Sequence, residues 1–380
     1  MHNYLIEPLA PLVFRSGKPF AAASGADGSN FPLPSSSAGL LRTVSADQQQ
    51  IPFNDSLKQQ ACKGPLLVSY ETPDKLTILV PKPADAMYFK AKDGSQKLVR
   101  LSPKAFDAST EGECGSDLPQ GLLPVQMEEK SLKGKPATGA QFWSLTDLID
   151  WQNGKKLDIT SIEKNGLKNL PSEHRTHVAL DDATLASDDG RLFQTSGLAL
   201  QAAKNNSTWD NKQLGFWLQS EQKLKQDLVT FGGEKRLSRL QHLASMPPDS
   251  TPNTQLSAQV RHAKGLRLTL LTPAIFGKGY LPQWLNDNLE GNPPFCPQLQ
   301  LKLKAVAIER WLAVSGWDLA QWKPKAMRKA VAAGAVYWFE VMGDVPDNLH
   351  QTLWLQSIAD NEQDQRDGFG LILPAAWPAI

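Results

Sequence analysis

Three consecutive serines, Ser35-Ser36-Ser37, stand directly before Ala38-Gly39-Leu40-Leu41-Arg42. That pattern predicts a serine N-cap opening a short helix. A helix start leaves backbone N–H groups unpaired and carries partial positive charge, so serine hydroxyls placed there suit a phosphate-like anion. Gly39 would let a backbone or ligand come close, and Arg15-Ser16-Gly17-Lys18 adds two cations in a turn. An ordinary helix cap uses the same serines with no ligand. Near the C-terminus, Arg366-Asp367-Gly368-Phe369-Gly370 is a glycine loop that permits a tight turn and close backbone approach, to a phosphate among other groups. A third cluster interleaves Trp311, Trp317, Trp322 and Trp338 with Lys302, Lys304, Arg310, Lys323, Lys325, Arg328 and Lys329. Aromatic faces stack on bases and cations neutralise phosphates. The competing reading puts the tryptophans in the core and the cations in solvent.

Catalytic signatures are missing. There is no phosphate-binding G-x-x-x-x-G-K-[ST], H-E-x-x-H or G-x-S-x-G. His174-Arg175-Thr176-His177, followed by Asp181 and Asp182, has metal-ligating residue types. On a strand, however, residues three apart point to opposite faces, which makes shared ligation awkward. Polar contacts from a strand or hairpin fit this run better, and no metal or cofactor is expected. His2, His242, His262 and His350 could each serve as a general base, but none has a sequence-local partner.

The charge balance narrows the functional classes. The chain has 380 residues with 40 Lys+Arg and 39 Asp+Glu, a net charge of +1, which argues against a free-standing basic nucleic-acid binder. The total hides a cancellation. Residues 257–340 carry 11 basic and 5 acidic groups, net +6, whereas 341–380 carry 1 and 6, net −5. A local basic surface beside an acidic tail is therefore open. With 41% hydrophobic and 21% charged residues, a disordered or fibrous chain is excluded. Cys62, Cys114 and Cys296 are scattered with no C-x-x-C pair, which fits a reducing compartment. The longest apolar run, Ala330 to Phe339, is too short for a bilayer, which needs about 20 residues. The N-terminus lacks a signal-peptide pattern, so a cytoplasmic protein is expected.

These groups must be positioned by short elements, because 27 Gly and 27 Pro interrupt the chain. Leu66 to Tyr70 and Leu76 to Val80 flank the Pro73-Asp74 turn as a hairpin. Leu299, Leu301 and Leu303 alternate with polar residues, as do Leu266, Leu268 and Leu270, and a period of two marks strands. Ala335 to Val341 and Phe369 to Leu373 read as further strands. Helices are expected after Ser144, whose spacing to Asp147 is that of a capping box, from Pro282 through Leu289, and from Asp347 to Ala359. Residues 107–121 and 134–139 read as loops. Short strands with occasional helices point to an α+β architecture.

Taken in order, several short motifs form one series. It runs Pro11-Leu12-Val13-Phe14-Arg15-Ser16-Gly17-Lys18-Pro19-Phe20, Phe31-Pro32-Leu33-Pro34-Ser35 through Arg42, and Phe231-Gly232-Gly233-Glu234. It continues with Leu271-Thr272-Pro273-Ala274, Gly277-Lys278-Gly279-Tyr280, Ser315-Gly316-Trp317-Asp318, Lys323-Pro324-Lys325, Ala333 to Tyr337 and Gly368-Phe369-Gly370. From about residue 5 to 374 the series resembles the third subunit of the Cmr module, the type III-B CRISPR–Cas effector complex, in the RAMP superfamily. The resemblance implies two ferredoxin-like, RRM-like domains. One would span 1–205, with a loop-rich insertion at about 82–166 and a thumb hairpin at about 173–200. The other would span 206–380 with the glycine-rich loop 366–370. The resemblance further implies a non-catalytic subunit that holds the repeat-derived 5′ tag of the crRNA. Its protein partners would be the large cyclase/polymerase-type subunit and the repeating backbone subunit, with no membrane. Carried onto this chain, Arg15, Ser35, Ser36, Ser37 and Arg42 would hold tag phosphates, Gly368 and Gly370 match the glycine loop, and 173–193 is the region of the thumb. With the residues read directly, the expected RNA-binding positions are these together with Lys18, His174, Arg175, His177, Lys278, Lys323, Lys325 and Arg328. The insertion matches no motif.

Two rivals stay open at this stage. One is a metal-independent endoribonuclease processing precursor crRNA, with His2, His174 or His177 as base. The other is a protein adaptor that docks the large subunit through its acidic tail.

Overall fold

The structure, a computed structural model, describes residues 1–379 apart from 15–29, 108, 110–116, 130–132, 201–212 and 248–250. The chain folds into two compact units, each drawn from several stretches. One comprises 1–76, 170–246 and 313–328, the other 77–169, 247–312 and 329–380. The expected linear division at 205/206 is thereby replaced. Its physical reason is strand pairing: His2–Pro8 is flanked by Gln213–Ser220 on one side and Leu237–Leu243 on the other, so cutting at 205 strips both neighbours from the first strand.

In the first unit, five antiparallel strands run in the order Asp227–Thr230, Leu237–Leu243, His2–Pro8, Gln213–Ser220, Cys62–Thr72. Within the seven-stranded sheet they belong to, Leu237–Leu243, His2–Pro8, Gln213–Ser220 and Cys62–Thr72 stand next to one another and are, in chain sequence, fourth, first, third, second. Helix Pro34–Gln49 packs on Cys62–Thr72 through Ala38, Leu41 and Val44, which are buried. It is far longer than the short helix expected, and it opens ahead of the serines, at Pro34. Pro34 occupies the first helical position, where its fixed φ and missing N–H cost nothing. Leu33 is the N-cap and makes no side-chain cap, so the serines lie inside the first turn instead of capping it. Strands Ser172–Leu180 and Ser187–Leu198 form a separate antiparallel hairpin where the thumb was expected.

The second unit repeats the order. Its strands run Glu290–Gly291, Leu301–Ala307, Val336–Val341, Gly265–Leu270, Ile372–Ala376, all antiparallel. Without the two-residue edge, and read from the far side, they are again fourth, first, third, second. Leu266, Leu268, Leu270, Leu301, Leu303, Tyr337 and Phe339 share one core, as the period-two pattern predicts. A bulge between Leu303 and Ala305 shifts the register, and Ala305, Ala307, Val336 and Trp338 build a second cluster with Ala84, Leu123, Val125 and Trp377.

Ala84, Leu123 and Val125 come from the insertion, which is not a loop-rich excursion. It carries Ala86–Ala91, Gln96–Pro103, Val125–Met127 and Gly134–Pro136 as a four-stranded sheet, and helices Leu145–Gln152 and Ile159–Asn165. Tyr88, Trp143, Trp151 and Ile162 form its own core. The serine cap forms as expected, with Ser144 Oγ accepting from Asp147 N–H at 3.0 Å, and Asp147 Oδ2 closes back on the Ser144 hydroxyl, which donates to it at 2.7 Å.

Two helices differ from expectation. Residues 282–289 make successive turns, because the Asn286 side chain takes the N–H groups of Asn288 and Glu290 at 2.9 and 3.0 Å and so competes with the helix. The helix expected over 347–359 is confined to Leu349–Leu353, and a further helix, Glu362–Asp367, follows under an Asn361 cap.

Candidate nucleic-acid interface

In the first unit the chain narrows to a neck at Phe14 and Asn30. The Asn30 backbone N–H and side-chain amide both donate to the Phe14 carbonyl, at 3.4 and 3.3 Å. Arg15 and Lys18 belong to the segment between them and lie outside the described residues. Four aromatic rings brace the neck edge-to-face: Phe14 on Phe231 at 5.0 Å, Phe231 on Phe216 at 5.9 Å, and Phe216 on Phe31 at 5.5 Å. Gly233 N–H donates to the Val13 carbonyl at 2.8 Å, which seats the Phe231-Gly232-Gly233 turn beside the neck. Four residues past Asn30 the long helix begins. Ser36 is exposed there, Ser35 half-buried and Ser37 buried. The Ser36 and Ser37 N–H groups turn back to the Leu33 carbonyl at 2.9 and 3.3 Å.

Arg42 corrects the sequence reading. It is 4% exposed, and its Nε and Nη2 donate to the Gln60 carbonyl at 3.2 and 2.9 Å. Because the helix continues to Gln49, Arg42 sits two turns in and straps the helix to the segment before Cys62–Thr72. Its charge is not presented at the surface.

On the Ser172–Leu180/Ser187–Leu198 hairpin, Arg175 and His177 share one face of Ser172–Leu180, and His174 takes the other. His177 Nε2 meets Thr195 Oγ1 at 2.9 Å, and His174 Nε2 meets Ser172 Oγ at 3.4 Å. Arg175 pairs with Glu173, whose hydrogen bond and charge hold the guanidinium above its ordinary pKa. Arg236 pairs with Glu234 at 2.6 Å, and both arginines line a small cleft with Pro11, Val13, Thr195 and Gly197. Hairpin base, glycine turn and neck therefore meet at one place, with two arginines beside it. Arg236 escaped the sequence reading because only the fold brings it there.

Lys323 and Arg328 are exposed and Lys325 half-buried, all on the 313–328 arm of the first unit. Its short hairpin pairs Trp317 with Pro324 and Asp318 with Lys323. Trp317 and Trp322 are exposed on it, whereas Trp338 is core.

The second-unit candidates fare differently. Lys278 is exposed, and its Nζ donates to the Leu285 carbonyl at 3.1 Å. Gly368 and Gly370 are buried, which corrects the phosphate-loop reading. Gly368 is the left-handed cap of Glu362–Asp367, with φ of 92°. Its carbonyl accepts from Thr272 Oγ1 at 2.8 Å, and Gly370 N–H donates to the Pro273 carbonyl at 2.7 Å. The loop's backbone groups are used in packing.

The family model described as CRISPR-associated protein (Cas_Cmr3) matches residues 4–377. No curated protein matches the chain. Among solved structures, a chain of "Cryo-EM structure of the Type III-B Cmr-beta bound to cognate target RNA" is similar at 16% identity and a TM-score of 0.47, covering 88% of this chain and 86% of that one. A chain of the structure bound to cognate target RNA and AMPPnP, state 1, is similar at 17% identity and a TM-score of 0.48, with the same coverages.

Proposed function

The chain belongs to the CRISPR-associated Cas_Cmr3 family, and on that premise we propose that it is a non-catalytic subunit of a cytoplasmic type III-B effector complex that binds the 5′ tag of the crRNA. The match over residues 4–377 carries this reading. The fourth–first–third–second strand order found in both units supports two ferredoxin-like, RAMP-type folds. In this reading the tag lies at the neck of the first unit. There the exposed Ser36 opens the long helix and Arg175 and His177 belong to the hairpin, while Arg15 and Lys18 follow Phe14 in the sequence. Phosphate contacts fix the register of the tag, while target sequence is read by base pairing. The remaining surface serves the large cyclase/polymerase-type subunit and the backbone subunit.

The test is binding of repeat-tag RNA by the full chain at physiological salt, for wild type and for Arg15→Glu with Lys18→Glu. Weakened binding with a shallower salt dependence supports the site, and unchanged affinity overturns it. Incubation with repeat RNA in EDTA addresses catalysis, since site-specific cleavage abolished by His174→Ala or His177→Ala would make the chain an endoribonuclease.

A further inference from the structure

The 313–328 arm displays two large indoles to solvent. Trp322 is 74% exposed and Trp317 50% exposed, and their rings meet edge-to-face with centroids 6.0 Å apart. Tryptophan buries more surface than any other side chain when it can, and Trp143, Trp151, Trp217 and Trp338 all do so here. Two exposed indoles in contact therefore call for a partner.

The arm is built to hold them. Lys58 Nζ reaches Asp318 Oδ2 at 2.8 Å and Asp55 Oδ1 at 2.7 Å, tying the arm to the 3-10 turn Asp55–Gln59. The other Asp318 carboxylate oxygen accepts from Ala320 and Gln321 N–H at 3.0 and 3.2 Å. Lys325 N–H donates to the Gly316 carbonyl at 2.8 Å, and Ser315 Oγ donates to the Lys325 carbonyl at 3.1 Å. This frame holds Trp322 at φ of 52°, a left-handed conformation that a bulky side chain adopts only when its surroundings over-determine it.

Charge selects the partner. Asp318 is the sole acid of the 313–328 arm, and Lys58 already matches it. The arm's other charges are Lys323, Lys325 and Arg328. An acidic groove on a protein would answer the cations, but single-stranded RNA answers both features, with phosphates for the cations and unpaired bases for the indoles. We infer that the Trp317–Trp322 pair is a stacking platform for unpaired nucleotides, with Lys323 and Lys325 neutralising the neighbouring phosphates. The site deepens the RNA-binding reading and rests on it, but it uses residues other than those at the neck.

The experiment measures the affinity of the full chain for a fluorescently labelled single-stranded oligoribonucleotide across a salt series. Trp322→Ala and Trp317→Ala are each expected to weaken binding about tenfold with the salt slope unchanged. Trp322→Phe keeps most of the affinity, because an aromatic face remains. Lys323→Gln with Lys325→Gln lowers the slope by about 1 per lost contact. Wild-type binding with unaltered affinity in both alanine variants overturns the platform while leaving the neck site standing. Unaltered RNA affinity together with loss of a protein neighbour from the assembled complex also overturns it and makes the arm a protein-docking surface. A wild-type chain that binds no RNA overturns both readings. Both indoles are surface groups, and an unchanged melting temperature of the variants excludes misfolding.

Discussion

Arg267 and Asp85 form a two-point ion pair in the interior of the second unit, with Nη1 2.8 Å from Oδ2 and Nη2 3.0 Å from Oδ1. Asp85 belongs to the insertion and Arg267 to the strand Gly265–Leu270. Trp151 Nε1–H donates to the same Oδ1 at 3.0 Å, and the Arg100 guanidinium lies 3.6 Å over the Trp151 ring. Nearby, Gln152 Nε2 donates to Thr269 Oγ1 at 2.8 Å. Arg267 and Thr269 stand on the face opposite the leucines of that strand. The pair thus fastens the insertion over that face of the sheet, and it gives a structural role to a segment that matches no motif.

Removing one partner should be severe. Asp85→Ala leaves Arg267 buried and unmatched, a loss of about 3–5 kcal/mol. Replacing both, as Asp85→Leu with Arg267→Met, should recover most of that loss. Denaturant unfolding of the three variants checks this, and a silent Asp85→Ala would show that the pair does not hold the insertion down.

Gly370→Ala should destabilise the second unit without touching RNA affinity. Gly370 has φ of 71°, and an added Cβ would stand 2.8 Å from the Ala359 backbone nitrogen. A strained position of this kind costs about 1–3 kcal/mol. Thermal unfolding and RNA titration on the same sample read the two effects separately. A loss of affinity in folded protein would return the loop to the RNA-binding surface.

Arg42→Met should behave likewise in the first unit. The Gln60 carbonyl loses two donors, at a cost of about 1–3 kcal/mol, while the salt slope of RNA binding stays at its wild-type value. A slope reduced by about 1 would mean that Arg42 reaches a phosphate.

The anchor of the tryptophan arm should depend on pH at both extremes. Burial raises the Asp318 pKa, but the hydrogen bond from Lys58, those from Gln321 and Ala320, and the Lys58 charge outweigh it and hold the carboxyl below its ordinary 3.8. A carboxyl depressed on folding contributes stability that is complete above its unfolded pKa and is lost as pH falls through the folded one. For Lys58, burial lowers the pKa, and the hydrogen bonds and charges of Asp318 and Asp55 outweigh it, leaving the ammonium above 10.5. That contribution is complete below 10.5 and is lost as pH rises through the raised value. The arm is therefore anchored across the neutral range and loosens in strong acid and strong base. Tryptophan emission of Asp318→Asn at neutral pH should match the change that wild type shows at low pH. Identical neutral spectra for the two proteins would remove the anchor.

What could be read ahead of the structure was local. Period-two leucines at 266–270 and at 301–303 lie on real strands, with Leu299 just outside the second, and Ser144 makes a real N-cap on Asp147. The failures are tertiary. By sequence Arg42 has the place of a surface cation, since the local pattern marks only a short helix ending beside it, and Gly368 and Gly370 have the pattern of a phosphate loop, since burial leaves no mark on a G-x-G. The domain division could not be read because the strands flanking His2–Pro8 come from beyond residue 206. Nothing local distinguishes Trp322, which is exposed, from Trp338, which is core.

The most direct measurement places photoactivatable nucleotides in the 5′ tag of the crRNA and maps crosslinks in the reconstituted effector complex. Crosslinks from tag positions to this chain are expected at the neck of the first unit, around residues 14–36 and 173–177, and lost with Arg15→Glu and Lys18→Glu. A tag that crosslinks only to other subunits would contradict the account and leave this chain a protein adaptor.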